Sequence, residues 1–150
     1  MSFPLPAPMR IALALADEAG RAGSVPVAAL IVRDGTVIAS ATNAPPGIHD
    51  PTAHAEMLVI REAARRLERQ RLDDCELWVT LEPCAMCAGA IAHARIARLY
   101  YAAEDAKGGA VDNGPRLFGQ PTCHHRPEIY GGIGAEQSAR MLRAFFADRR

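Results

Sequence analysis

One histidine, one glutamate and two closely spaced cysteines are the residues whose types and spacing could do chemistry. His54 and Glu56 stand two positions apart, and Cys84 and Cys87 follow within a Pro-Cys-x-x-Cys motif. Zinc takes nitrogen and sulfur ligands in a tetrahedron, and three protein ligands leave the fourth position for a water. His54, Cys84 and Cys87 are therefore the candidate zinc ligands. Glu56 is the candidate catalytic residue, because it can carry the proton of that water.

A structural zinc site is the alternative use of the same residue types. It would need a fourth side chain to close the tetrahedron, and the chain offers Cys75, Cys123, His124 and His125. A catalytic site is favoured, because a structural site has no use for a glutamate beside its only histidine ligand.

The composition is typical of a globular enzyme. A chain of 150 residues can bury a core without disulfides, and 49% hydrophobic and 23% charged residues fall in the ordinary range for such a protein. The proline-rich start lacks the regions of a signal peptide, and no apolar stretch approaches a membrane span. We expect one domain over residues 1–150, a cytoplasmic location and no membrane contact.

The cationic residues are unevenly distributed although the net charge is zero, and all but one of the 17 are arginine. A first run comprises Arg61, Arg65, Arg66, Arg69 and Arg71. We interpret it as a solvated helix face with Glu62 and Glu68 as partners, rather than a binding surface. A second run comprises Arg140, Arg143, Arg149 and Arg150. Phe145 and Phe146 interleave with it, so a solvated face and an RNA-binding surface are equally compatible with this run.

Helices and strands are predicted to alternate, which indicates a layered α/β domain. Helices are predicted at about 8–20, 50–67, 83–94 and 135–149, strands at 27–33, 36–42, 77–81, 98–102 and near 129, with an Asp34-Gly35 hairpin turn. His54 and Glu56 then lie in the opening turn of the second helix. Cys84 and Cys87 share the first turn of the third helix, where a spacing of three places both thiolates on one face. Two helix starts would thus form the pocket. Residues 104–127 are loop-rich, and a loop of this length in a compact domain is typically functional.

The residues around both motifs resemble the bacterial tRNA adenosine deaminases of the cytidine deaminase-like superfamily. The resemblance rests on Asp50-Pro51-Thr52-Ala53-His54-Ala55-Glu56, on residues 79–90, on Asp105-Ala106-Lys107-Gly108-Gly109 and on Phe145-Phe146. It implies a three-layer α-β-α fold whose central mixed sheet has about five strands. It also implies one zinc ion per subunit and a homodimer. The implied activity is hydrolytic deamination of the wobble adenosine in a tRNA anticodon stem-loop to inosine.

The resemblance also implies roles for particular residues. His54, Cys84 and Cys87 would bind zinc, and Glu56 would move protons between the activated water and the adenine ring. Asn43 and the backbone amide of Ala55 would hold the base, although Asn43 before Pro45 is also a typical turn residue. The implied contacts to the RNA around the target come from Asp105, Lys107, His125, Phe145, Phe146 and Arg149.

Two other functions stay open. A deaminase of a free nucleobase or nucleoside would use the same zinc chemistry in a closed pocket without an RNA surface. A non-catalytic module would use zinc only for stability and would have no need of Glu56.

Overall fold

The computed structural model of this chain describes residues 4–149. It consists of a five-stranded sheet between two layers of helices. The elements are α1 (Ala7–Arg21), β1 (Ala28–Arg33), β2 (Thr36–Thr42), α2 (Ala55–Leu67), β3 (Glu76–Leu81), α3 (Ala85–Ala94), β4 (Arg98–Ala103), β5 (Glu128–Tyr130) and α4 (Ala135–Ala147). Arg150, assigned above to the second arginine run, and the first three residues of the proline-rich start lie outside the described part. No helix within residues 4–149 is long and apolar enough to cross a membrane.

The sheet is mixed, with the strand order β2-β1-β3-β4-β5. β1 pairs antiparallel with both β2 and β3, whereas β3, β4 and β5 are parallel. The β1–β2 hairpin turns at Asp34 and Gly35, whose φ angles are 49° and 77°, as expected for a tight turn with two left-handed residues. Because β3 and β4 are parallel, their carboxyl ends lie at the same edge of the sheet, and α3 connects the two strands.

β1 shows why the fold has three layers, since its side chains alternate between two buried faces. Ala29 and Ile31 belong to the apolar core that includes α2 and α3, while Leu30 and Val32 pack in the second core with α1. All four are at most 2% exposed. α4 packs beside α1, since its Met141 joins the second core. The predicted three-layer α-β-α fold and its mixed sheet of about five strands are confirmed.

The helix starts differ from the prediction in a way that matters for the site. Asp50 closes a turn rather than starting a helix, because its Oδ1 accepts hydrogen bonds from the N–H and the hydroxyl of Thr52, at 2.9 and 2.8 Å. α2 begins only at Ala55, with His54 as its N-cap residue, and α3 begins at Ala85, with Cys84 as its N-cap residue. The predicted starts at residues 50 and 83 were therefore too early.

Candidate functional site

The side chains of His54, Cys84 and Cys87 meet where α2 and α3 begin. Nδ1 of His54 lies 3.6 Å from the Sγ of Cys84 and 3.6 Å from the Sγ of Cys87. The three atoms all lie within 4.8 Å of one another. One imidazole nitrogen and two thiol sulfurs form a donor set that suits zinc. The residues present therefore fit a zinc ion.

The group has three members, which is the number expected of a catalytic zinc site. Within residues 4–149, no fourth histidine, cysteine, aspartate or glutamate joins it. The four side chains considered as a fourth ligand have other neighbours. The thiol of Cys75 bonds to Asp74, and that of Cys123 donates to the carbonyl of His125. The ring centroid of His124 lies 5.1 Å from that of His93, and the ring of His125 lies against the carbonyl of Ile96. A position for water or substrate is thus left beside the three donors.

Glu56 lies in the first turn of α2 and is only 4% exposed. Burial raises the pKa of its carboxyl from the ordinary value of 4.5 to about 7, and the neighbouring Cys84 acts in the same direction. A zinc ion held by the three donors would oppose this shift, because its positive charge favours the carboxylate. A buried carboxyl beside the three donors is placed to accept a proton from a water and to return it to a substrate.

The two thiols compete for one proton. A hydrogen bond with Cys87 lowers the pKa of Cys84 to about 5. The same bond, together with burial, raises the pKa of Cys87 above its usual range. Cys84 is therefore the first of the pair to become a thiolate, and binding of a metal would release the remaining proton.

Asn43 and Ala55, both expected to contact a base, are bonded to each other. Oδ1 of Asn43 accepts a hydrogen bond of 2.7 Å from the backbone N–H of Ala55, the first residue of α2. Asn43 also donates its own N–H to the carbonyl of Val27, at 3.2 Å. The bond to Ala55 fixes the orientation of the amide and leaves its Nδ2 as the group that could donate to a base.

Asp105 and Lys107 lie in the loop that follows β4. Oδ1 of Asp105 accepts hydrogen bonds from the N–H groups of Lys107 and Gly108, at 3.1 and 2.9 Å. The loop reaches the metal-binding segment, because the N–H of Ala110 donates to the carbonyl of Pro83 at 2.9 Å. The loop that carries Asp105 and Lys107 is therefore tied to Pro83, the residue before Cys84.

The remaining predicted RNA contacts lie elsewhere. Nε2 of His125 is 2.7 Å from the carbonyl oxygen of Ile96, so this ring is engaged with the segment before β4. Phe145 is buried and Phe146 is 49% exposed. The guanidinium of Arg149 lies 3.6 Å from the centroid of the Phe145 ring. These last three belong to the α1–α4 side of the sheet, opposite α2 and α3.

The first arginine run is largely neutralised by local partners. Arg65 and Arg66 both pair with Glu62, at 2.6 and 2.7 Å, and Arg69 pairs with Asp73 and Asp74. The predicted pairing with Glu62 is confirmed, whereas Glu68 forms no salt bridge within the described residues 4–149. Arg69 lies beyond the end of α2 at Leu67 and pairs with Asp73 and Asp74 instead.

Glu82 is a further buried residue at the site, and its role is not predictable from its position directly before Pro83 and Cys84. Its carboxylate is buried, with 2% of the residue exposed, and it accepts several hydrogen bonds from the loop after β4. A charged residue at the end of an apolar strand was the one available signal, and it does not by itself reveal burial.

Comparison with known proteins identifies the family. Residues 6–103 match the model of the cytidine and deoxycytidylate deaminase zinc-binding region. A tRNA-specific adenosine deaminase of Agrobacterium fabrum is 52% identical over 142 residues, which cover 95% of this chain and 93% of the relative. The chain belongs to the tRNA-specific adenosine deaminase family. The predicted resemblance and the zinc cofactor are thereby confirmed.

Solved structures are similar to this deaminase as well. One, from a study of A-to-I editing by tRNA deaminases at the wobble position, has 52% identity and a TM-score of 0.87, covering 90% of this chain and 98% of its own. A guanine deaminase from Bacillus subtilis has 35% identity and a TM-score of 0.63, covering 95% and 91%. The same fold therefore also serves a deaminase of a free base.

Proposed function

We propose that this chain acts as one domain that hydrolyses the wobble adenosine of a tRNA anticodon loop to inosine, with release of ammonia. The observation that carries the proposal is the buried carboxyl of Glu56 beside the three donors His54, Cys84 and Cys87. The 52% identity to a tRNA-specific adenosine deaminase supports the choice of substrate. Because its substrate would be tRNA, the protein would act in the cytoplasm.

The chemistry requires a zinc ion, which His54, Cys84 and Cys87 would hold. When bound, zinc supplies a Lewis acid that activates water for attack on the ring carbon carrying the amino group. Glu56 would accept the proton of the water on its carboxylate and pass it to ring nitrogen N1. It would then help the amino group to leave as ammonia. Its burial keeps the proton inside the site, because bulk water has little access to the carboxylate.

Asn43 would orient the base. Its Oδ1 accepts the N–H of Ala55, which orients the amide so that Nδ2 would donate to the base. Asp105 and Lys107 would contact nucleotides beside the target, since their loop lies against Pro83. His125, Phe145, Phe146 and Arg149 would also contact the RNA, with the exposed ring of Phe146 available to stack on a base.

We also propose that the protein is a homodimer in which α3 contacts the second copy. α3 contains no glutamate, aspartate, arginine or lysine. Ala85 and His93 on its outer face are exposed, and a Cβ added at Gly89 would meet nothing within 4 Å. A helix that exposes a face without charged side chains to solvent is typical of a protein–protein contact surface.

The test compares products from zinc-loaded protein given an anticodon stem-loop with a wobble adenosine, free adenosine, cytidine or guanine. We expect inosine from the RNA alone. Turnover of guanine with inert RNA would instead support a free-base deaminase, as in the Bacillus subtilis neighbour. Raising the salt concentration should weaken RNA turnover steeply, because phosphate contacts release counterions, whereas free-base turnover should not respond.

Glu56→Gln separates catalysis from binding. Loss of the proton carrier should reduce the rate by at least about 100-fold, while zinc content and RNA affinity stay at the level of the unsubstituted protein. An unchanged rate would contradict the role of Glu56. RNA binding without activity in the unsubstituted protein would indicate a non-catalytic module.

A further inference from the structure

The carboxylate of Glu82 is a buried acceptor that the proposed mechanism does not use. Its Oε2 accepts hydrogen bonds from three successive backbone N–H groups, those of Val111, Asp112 and Asn113, each at 3.0 Å. Its Oε1 accepts from the N–H of Asp105 at 3.0 Å and from Nδ2 of Asn113 at 2.6 Å. All five donors belong to the loop after β4.

These bonds hold two separate parts of the loop, Asp105 and residues 111–113, against one carboxylate. Asp105 lies near its start and residues 111–113 lie beyond its tip, so one side chain closes a segment of the chain. The backbone of Glu82 adds a further tie, because its N–H donates to the carbonyl of Ala103 at 2.8 Å. Hydrogen bonds to a charged acceptor are stronger than those between neutral groups.

The loop is also shaped to the carboxylate. A Cβ added at Gly109 would lie 2.5 Å from Cδ of Glu82 and 2.6 Å from its Oε2. Only glycine therefore fits between the loop backbone and this side chain. The next residue, Ala110, bonds to Pro83, so the loop is anchored to the segment that leads into Cys84.

We propose that Glu82 is a positioning residue that holds the loop from Asp105 to Asn113 beside the zinc ligands and thereby determines how well the site binds RNA. The proposal rests on the proposed function, in which Asp105 and Lys107 meet nucleotides next to the target. Glu82 acts through these residues and through the backbone of their loop. The zinc donors themselves are held by the starts of α2 and α3, so loosening the loop should affect RNA binding before it affects the metal.

Glu82→Gln is the main variant. A glutamine replaces one carboxylate oxygen by an NH₂ group, which cannot accept a hydrogen bond. If the NH₂ takes the place of Oε1, two of the five bonds are lost, and if it takes the place of Oε2, three are lost. Glu104→Gln is the matched control, because it removes the same charge from an exposed position at the start of the same loop. Asn113→Ala is a second variant that deletes one donor and keeps the carboxylate.

Loop order can be measured without any substrate, because Lys107 is the only lysine of the chain. A lysine-specific protease therefore has a single site, within this loop. Under native conditions, we expect cleavage at Lys107 to be at least about tenfold faster in Glu82→Gln than in the unsubstituted protein. Glu104→Gln should be cut at the rate of the unsubstituted protein, and Asn113→Ala at an intermediate rate.

Steady-state kinetics on the stem-loop RNA then test positioning. We expect KM to rise at least about tenfold in Glu82→Gln with a smaller change in kcat, and zinc content to stay at one ion per chain. The effects of Glu82→Gln and Asn113→Ala on KM should not add, since the two side chains share a bond. If Glu82→Gln does not fold, Asn113→Ala takes its place as the test. Both KM and the rate of cleavage at Lys107 must then rise in Asn113→Ala, by smaller factors.

Three results would overturn the proposal. The first two are unchanged cleavage at Lys107 and faster cleavage with unchanged KM. Loss of zinc in parallel with activity would also overturn it, because Glu82 would then act on the metal site. Failure of the proposed function is seen separately, as absence of inosine with the unsubstituted protein. The cleavage rates would still show whether Glu82 anchors the loop.

Discussion

Replacing Gly109 by alanine should destabilise this deaminase strongly, because the site has no room for a methyl group. The new Cβ would lie 2.5 Å from the carbonyl oxygen of Asp105 and 2.5 Å from Cδ of Glu82, roughly 1 Å short of normal contact distances. Neither neighbour can move freely. The Asp105 carbonyl accepts the N–H of Gly109 itself, at 2.9 Å, and the Glu82 carboxylate is held by its five donors.

The expected loss has two parts. Overpacking costs about 1–3 kcal/mol, and a shift of Glu82 that breaks a hydrogen bond to its charged carboxylate costs about 1.5–3 kcal/mol more. We therefore expect the free energy of unfolding to fall by about 4 kcal/mol. For a chain of this size the corresponding decrease in Tm is roughly 8–16 °C.

Gly119→Ala is the matched control, because an added Cβ there meets nothing within 4 Å. Alanine has less conformational freedom than glycine in the unfolded chain, so this variant should have an unchanged or higher Tm. The free energy of unfolding should rise by about 0.4–1 kcal/mol at most. Thermal unfolding followed by circular dichroism measures both variants. A Tm for Gly109→Ala within about 2 °C of the unsubstituted protein would refute the reasoning, since it would mean that the loop yields at less than about 1 kcal/mol.

Two further predictions concern the metal and the assembly. Cys87→Ala should lower both zinc content and Tm, because metal binding and folding are coupled. A chelator should also lower the Tm of the unsubstituted protein. Full zinc content with an unchanged Tm in the variant would contradict the ligand assignment. Gly89→Arg places a long cation on the outer face of α3 and should shift the sedimentation coefficient from that of a dimer to that of a monomer. Gly47→Arg is the control, because an added Cβ at Gly47 also meets nothing within 4 Å, and this variant should stay dimeric. A dimeric Gly89→Arg would show that α3 is not in the interface.

The chemistry of the zinc group could be predicted from local sequence. Cys84 and Cys87 are three positions apart at a helix start, and this spacing alone places both thiols on one side. The hairpin was equally predictable, because Asp34 and Gly35 adopt the left-handed conformations that such a turn requires. In both cases the interactions that decide the structure join residues close in the chain.

The roles of Asn43, Ala55 and Glu82 depended on tertiary structure. Asn43 and Ala55 bond to each other because the end of β2 is brought against the start of α2, and neither residue type predicts that partner. From the sequence alone, Glu82 is an ordinary polar residue before a proline. It becomes a buried anchor only because parallel pairing of β3 and β4 places the loop after β4 beside it, where backbone N–H groups surround the carboxylate. Backbone donors are present at almost every residue and carry no sequence signature, so which of them meet a given carboxylate is decided by the packing of distant segments.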